Sequence, residues 1–152
     1  MSDLALAPKN VSSRLWNSVE THREWNALIV SASIENRKAL LRILEGLPVD
    51  TFAATTIEQA REVLSRHSID AIFCEESLPD GSYRQLLETA TAKNKMTRFV
   101  VMLRTGEWDE YLGAMRLGVT DVVRCPLQPI EVELVLIGVA RDRARQDTGV
   151  IA

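Results

Sequence analysis

The feature that most constrains the fold is a short run of consecutive apolar residues that stops at two carboxylates. The run is Ala71 to Cys74, and Glu75 and Glu76 follow it directly. Apolar residues at every position are typical of a strand that is buried on both faces of a sheet. Pro79-Asp80-Gly81 then predicts a turn, and apolar residues at helical spacing from Tyr83 to Ala90 predict a helix. The strand therefore delivers Glu75 to its carboxyl end, the edge where open parallel sheets bind their ligands.

The alternation of strand and helix continues along the whole chain. Four more short segments predict strands: Ala27–Val30, Val49–Ala54, Phe99–Leu103 and Asp121–Cys125. Candidate N-caps precede three of the helical patterns: Ser33, Thr56 and either Ser82 or Asp80. The last helix is expected from about Ile130 to Arg143, with Pro129 in its first turn. Five successive βα units predict an α/β fold, a flavodoxin-like doubly wound parallel sheet with strand order 2-1-3-4-5.

Length and charge limit the domain organisation and the partners. The chain of 152 residues is long enough for one domain. We expect that domain at residues 25–145, an N-terminal arm at 1–24 and a C-terminal tail at 146–152. The net charge of −3 gives no electrostatic case for nucleic acid, and no apolar run is long enough to cross a membrane. These features favour a cytoplasmic protein.

The two cysteines, Cys74 and Cys125, have no metal-ligand spacing, and we expect free thiols and no cofactor. A disulfide between them is not expected. A third strand separates their strands at about 4.8 Å a step, which exceeds the roughly 7 Å limit between bridged Cα atoms. Cys125 is either an inert thiol or a redox sensor activated by a nearby cation. The adjacent Arg124 points to the opposite face of a strand and need not supply that charge.

Two segments carry a resemblance to a known family. Asp70–Glu75 followed by Leu78–Ser82 is similar to the phospho-acceptor strand and proline-glycine loop of bacterial response-regulator receiver domains. Ala114–Asp121 resembles the connection that precedes the lysine-proline pair of the same family. The resemblance covers about residues 27–141 and implies a signalling module of a two-component system or phosphorelay.

The positions that carry chemistry in the family hold different residues here. The acidic pair of the family falls on Ser31 and Ala32, the acceptor on Glu75, the hydroxyl residue on Leu103 or Arg104, the lysine on Cys125 and the switch aromatic on Val122. Mg²⁺ prefers several oxygen ligands, and one carboxylate beside a hydroxyl and a methyl group is a poor site. Without a metal or a lysine, a transferring phosphoryl group loses its main charge stabilisation. We therefore expect no metal site, no catalytic residue and no efficient phosphotransfer.

Two interpretations of Glu75 remain open at this point. In the first, Glu75 imitates a phosphorylated aspartate, although it supplies about one negative charge against roughly −1.5 to −2 for a phosphate. In the second, it is a solvated carboxylate at the end of a strand whose site has lost its chemistry. A further hypothesis is that Arg104 forms an ion pair with Glu75 across neighbouring strands.

The last helix is apolar around more than the stripe of roughly 100° that a helix needs to cover one sheet face. The excess predicts a surface for a protein partner or a homodimer, which we assign to Leu134, Ile137 and Val139. In the family that the chain resembles, the last two helices and the last strand are common contact surfaces. The alternative is a deeply packed helix with Gly138 at a close approach.

The favoured interpretation is a receiver-like module that acts through protein–protein interaction without phosphorylation and is not an enzyme. One alternative is a receiver that is phosphorylated at an unorthodox acceptor. Another is a small flavodoxin-like enzyme or nucleotide binder. Ser31-Ala32-Ser33 weakens this last alternative, because no phosphate-binding glycine motif follows the first strand.

Overall fold

The computed structural model describes residues 25–104 and 108–147, with side chains described through Asp142. Five parallel strands form one sheet: β1 (Trp25–Val30), β2 (Val49–Ala54), β3 (Ala71–Glu75), β4 (Arg98–Leu103) and β5 (Asp121–Arg124). Their order is β2-β1-β3-β4-β5, which confirms the predicted flavodoxin-like order 2-1-3-4-5. The helices are α1 (Ile34–Leu44), α2 (Ile57–Arg66), α3 (Tyr83–Lys93), α4 (Trp108–Leu117) and α5 (Pro129–Asp147). The expected arm at 1–24 and residues 148–152 of the expected tail lie outside the described residues.

The central strand β3 is buried along its whole length because helices cover both faces of the sheet. Ile72 and Cys74 point into one apolar core, together with side chains from α2, α3 and α4. Ala71 and Phe73 point into a second core, together with side chains from α1 and α5. Consecutive strand residues therefore serve opposite cores, which explains why the run in the sequence is apolar at every position.

Side chains at the predicted caps begin three helices. Ser33, Thr56 and Ser82 each accept a hydrogen bond from a backbone N–H group in the first turn of α1, α2 and α3, respectively. Ser82 forms a reciprocal capping box with Gln85, so Ser82 rather than Asp80 is the N-cap of α3. These caps satisfy N–H groups that have no partner within the helix and place each helix start at the carboxyl edge of the sheet.

Helix α5 begins at Pro129, as expected, and continues past Arg143 to Asp147. The assignment of Ile137 and Val139 to a partner surface is wrong for the described fold, because both side chains are buried in the second core, 4% and 2% exposed. Leu134 is exposed. Most of the extra apolar surface of the helix is therefore used in packing. Within the described part of the chain, neither α5 nor any other helix has the length and apolar character to span a membrane.

Gly138 of α5 lies against the side chain of Arg98. A Cβ atom at this position would lie 3.4 Å from Cζ of Arg98. The same guanidinium pairs with Asp142 at 2.9 Å and with Asp121 at 3.4 Å. The group beside Gly138 is therefore a charged side chain held by two carboxylates, at a distance where a Cβ would make an ordinary van der Waals contact.

Candidate functional site

The candidate site lies at the carboxyl edge of the sheet, where the ends of β1, β3, β4 and β5 meet. Glu75 is the last residue of β3 and is paired in register with Met102 of β4. The backbone N–H of Cys125, just after β5, donates to the carbonyl of Leu103 at 2.8 Å. Because all five strands are parallel, the residues that follow them collect at this one edge.

Glu75 is a buried carboxylate with an amide donor. Its side chain is 5% exposed, so the interpretation as a solvated carboxylate is wrong. Nδ2 of Asn36, in the first turn of α1, donates a hydrogen bond to Oε2 of Glu75 at 2.5 Å. Sequence reasoning missed Asn36. The available signal was its place in the first turn of a helix that starts at the carboxyl edge of a neighbouring strand.

The backbone around Asn36 is fixed on both sides. Ser33 Oγ accepts from the N–H of Asn36 at 3.1 Å. The guanidinium of Arg37 donates to the carbonyl of Ser31 at 2.7 Å. These contacts tie the first turn of α1 to the end of β1, so the Asn36 amide is presented to Glu75 from a well-defined helix start.

The thiol of Cys125 lies in the same cluster. Partial burial and the negative charge of Glu75 raise the pKa of Cys125, and Arg104 together with a hydrogen bond from Asn36 opposes this rise. The thiol is therefore protonated at neutral pH, which favours the inert interpretation over a redox sensor. Burial also raises the pKa of Cys74, and both cysteines are free, as expected.

Arg104 does not neutralise Glu75. The two side chains line one cleft of about 190 Å³ with Glu76, Ser77 and Met102. They are not, however, joined by an ion pair within 4.0 Å, so the hypothesis of an Arg104–Glu75 pair is wrong for this structure. Arg104 is exposed and acts on the cluster through its charge near Cys125.

The other predicted site positions carry local or packing roles. Ser31 is buried, and its Oγ accepts from the N–H of Ser33 at 3.0 Å, whereas Ala32 is exposed. Leu103 is buried in the first core, and Val122 packs against that core from a partly exposed position. The structure therefore brings Glu75 and Cys125 together, and it turns the Ser31 hydroxyl toward its own backbone.

This donor set does not fit a magnesium ion. Mg²⁺ needs oxygen ligands in octahedral geometry, and the carboxylate of Glu75 already accepts from an amide N–H. Ser31 Oγ is engaged with Ser33, and Ala32 has no donor atom. In the described part of the chain, no group of three or more His, Cys, Asp or Glu side chains is arranged to hold a metal ion.

The loop after Glu75 is anchored to a neighbouring helix. Asp80 accepts from the backbone N–H groups of Ile57 at 2.8 Å and Glu58 at 3.1 Å, at the start of α2. These two bonds, with the charge of Arg61, hold the pKa of Asp80 below its usual range. The loop itself forms a two-stranded hairpin, Ser77–Leu78 with Gly81–Ser82. The turn predicted at Asp80 thus joins β3, α2 and α3.

Comparisons with known proteins agree with this architecture. No family model matches the sequence. Over 101 residues, 66% of this chain, the sequence is 29% identical to the response regulator protein PilR of Pseudomonas aeruginosa. The match spans 23% of the length of that relative.

Solved structures with the same fold include two receiver-domain proteins and a two-component response regulator. The CheY-like receiver domain protein of Methanospirillum hungatei has a TM-score of 0.72 at 15% identity and covers 80% of this chain and 98% of its own. A two-component response regulator of Clostridium difficile has a TM-score of 0.71 at 23% identity, covering 77% and 96%. The receiver domain of an HD domain-containing protein of Pseudomonas fluorescens has a TM-score of 0.73 at 19% identity, covering 80% and 98%. The chain therefore has the fold of these proteins, and its sequence is similar to part of a response regulator.

Proposed function

We propose that this receiver-type domain transmits a signal by binding protein, without being phosphorylated and without catalysing a reaction. The observation that carries the proposal is the state of Glu75. At the position of the acceptor it is buried, and it accepts from the Asn36 amide. The thiol of Cys125 stands where the family has its lysine, so no cation follows β5 at that point to stabilise a phosphoryl group. Its place is a two-component or phosphorelay system, in the cytoplasm, with no nucleic acid or membrane as its ligand.

The proposed binding surface comprises α4, the edge strand β5 and the exposed side of α5. Trp108 and Tyr111 on α4 stack with ring centroids 5.3 Å apart, and Trp108 is 67% exposed. Ile130 and Leu134, one turn apart on α5, are also exposed. Large exposed aromatic and aliphatic side chains of this kind are the usual anchors of protein interfaces. Of the three residues assigned to this surface from sequence, Leu134 is retained.

Phosphorylation is tested by incubating the protein with acetyl phosphate and Mg²⁺ and measuring its intact mass. We expect no added phosphoryl group under conditions that fully modify an ordinary receiver domain run in parallel. A phosphoryl adduct that is lost in a Glu75→Gln variant would support the alternative of an unorthodox acceptor and refute the proposal. A thermal shift with flavin and nucleotides tests the enzyme or nucleotide-binder alternative, for which we expect no change in the unfolding temperature.

Binding is tested first with a second copy of the chain, by light scattering over a range of protein concentrations. We expect a dimer that Leu134→Ser, combined with Trp108→Ser, converts to a monomer. Ile34→Ser is the matched control, because Ile34 on α1 is 59% exposed and Leu134 is 57% exposed. If Ile34→Ser disrupts the dimer and the double variant does not, the surface lies on α1 rather than on α4 and α5.

A further inference from the structure

We infer that the side-chain amide of Asn36 is a permanent hydrogen-bond donor to the carboxylate of Glu75. By holding this position, the amide excludes divalent cations from the carboxyl edge of the sheet. The inference rests on the proposed function, since it explains how a receiver-type site holds its carboxylate without a metal. It assigns a positioning role to a residue that the sequence did not place in the candidate site.

The chemistry of the amide sets the direction of this contact. An ionised carboxylate accepts hydrogen bonds, and an asparagine side chain offers two N–H donors on one side and an oxygen on the other. Only the NH₂ side can face Glu75, and Nδ2 of Asn36 is the atom that does so. An N–H donor cannot ligate a cation. Nδ2 of Asn36 therefore donates a hydrogen bond to the carboxylate but cannot serve as a ligand of Mg²⁺.

The surroundings keep the amide in this place. Asn36 lies in the first turn of α1, where its backbone N–H donates to the Ser33 cap. Arg37 in the same turn donates a hydrogen bond to the carbonyl of Ser31, just after β1. Glu75 is only 5% exposed, and the amide of Asn36 occupies a hydrogen-bonding position at its Oε2. The Asn36 side chain also lies close enough to Cys125 to affect its pKa, so the amide stands between the ends of β3 and β5.

The arrangement makes Asn36→Asp an informative change. Aspartate has nearly the same shape as asparagine, but it replaces the donor with a second carboxylate at hydrogen-bonding distance from Glu75. Two adjacent carboxylates repel each other and supply oxygen ligands to a divalent cation. We therefore expect Asn36→Asp to bind a divalent cation at a position where the wild type binds none.

The experiment compares the unfolding temperatures of the wild type, Asn36→Asp and the double variant Asn36→Asp, Glu75→Gln, each with EDTA or with 10 mM MgCl₂. We expect no shift with Mg²⁺ for the wild type and a rise of several degrees for Asn36→Asp. The double variant should lose most of that rise. A Mg²⁺ shift in the wild type as large as that of Asn36→Asp would refute the inference, and so would an Asn36→Asp protein that ignores the ion.

A second measurement needs no variant to fold. Mn²⁺ is titrated into the wild-type chain while paramagnetic broadening is followed in an amide NMR spectrum. We expect no saturable broadening around Asn36 and Glu75 at millimolar Mn²⁺, and saturable broadening there would overturn the inference. Failure of the two ideas can be told apart. Phosphorylation by acetyl phosphate would sink the proposed function, whereas saturable cation binding in an unphosphorylated protein would sink only the role of Asn36.

Discussion

Replacing Asn36 with alanine should destabilise the fold, because the change leaves a buried carboxylate without its amide donor. Glu75 is 5% exposed, and Nδ2 of Asn36 lies 2.5 Å from its Oε2. A buried acceptor that loses its partner costs about 1–3 kcal/mol. The higher helix propensity of alanine returns up to about 0.7 kcal/mol in α1. We therefore expect the free energy of unfolding to fall by about 0.3–3 kcal/mol.

The assay is urea unfolding at pH 7 followed by circular dichroism. Lys38→Ala is the control, because Lys38 is exposed on the same helix and loses no buried contact. Replacing both Asn36 and Glu75 with leucine removes donor and acceptor together, so the double variant should be more stable than Asn36→Leu alone. The two single changes should be coupled by about 0.5–3 kcal/mol. If Asn36→Ala unfolds at the same urea concentration as Lys38→Ala, or if the two leucine substitutions are additive, the contact does not contribute as argued.

Four further outcomes test other parts of the structure. The pKa of Asp80 is lowered in the folded state, so the stability that wild type has over Asp80→Ala should be full at pH 7. This stability difference should disappear as the pH falls below about 4 and then through the folded-state pKa of Asp80. Urea unfolding midpoints at several pH values measure it. Gly113→Ala should raise the unfolding free energy by about 0.5–1 kcal/mol, because it lies inside α4 with no heavy atom within 4 Å of an added Cβ. Gly138→Leu should lower that free energy by about 1–3 kcal/mol in the same assay, since a Cβ there already lies 3.4 Å from a paired guanidinium. Glu75→Gln removes a charge that raises the pKa of Cys125. Iodoacetamide should therefore alkylate Cys125 faster in this variant than in wild type at pH 8, as followed by mass spectrometry. Equal rates would contradict the proximity of Glu75 and Cys125.

The strand order and the helix starts could be predicted from sequence because they depend on local patterns. Apolar runs such as Ala71 to Cys74 indicate burial on two faces, and side chains such as Ser33 and Ser82 mark helix starts within a few residues. The position of Glu75 at the carboxyl edge followed from the same reasoning. These features need only the period of the pattern and the residues next to it.

The partners of the site residues could not be predicted in the same way. Asn36 and Glu75 are 39 residues apart, and Asp80 caps α2 from 23 residues away, so each contact depends on how the elements pack. The surface assignment of Ile137 failed for a related reason. An apolar pattern records how much of α5 is buried, but it does not distinguish burial in the core of the same chain from burial against a partner.

The alternation of β3 between two cores has a consequence for how the chain tolerates change. Ile72 and Phe73 anchor opposite layers of packing, whereas Ser31 and Glu75 lie at the edge and belong to neither apolar core. Most of the free energy that holds the sheet together therefore comes from side chains that play no part in the chemistry of the edge. Charged and hydrogen-bonding residues at the carboxyl edge can therefore be replaced together, while the two apolar cores keep the strands in the same register.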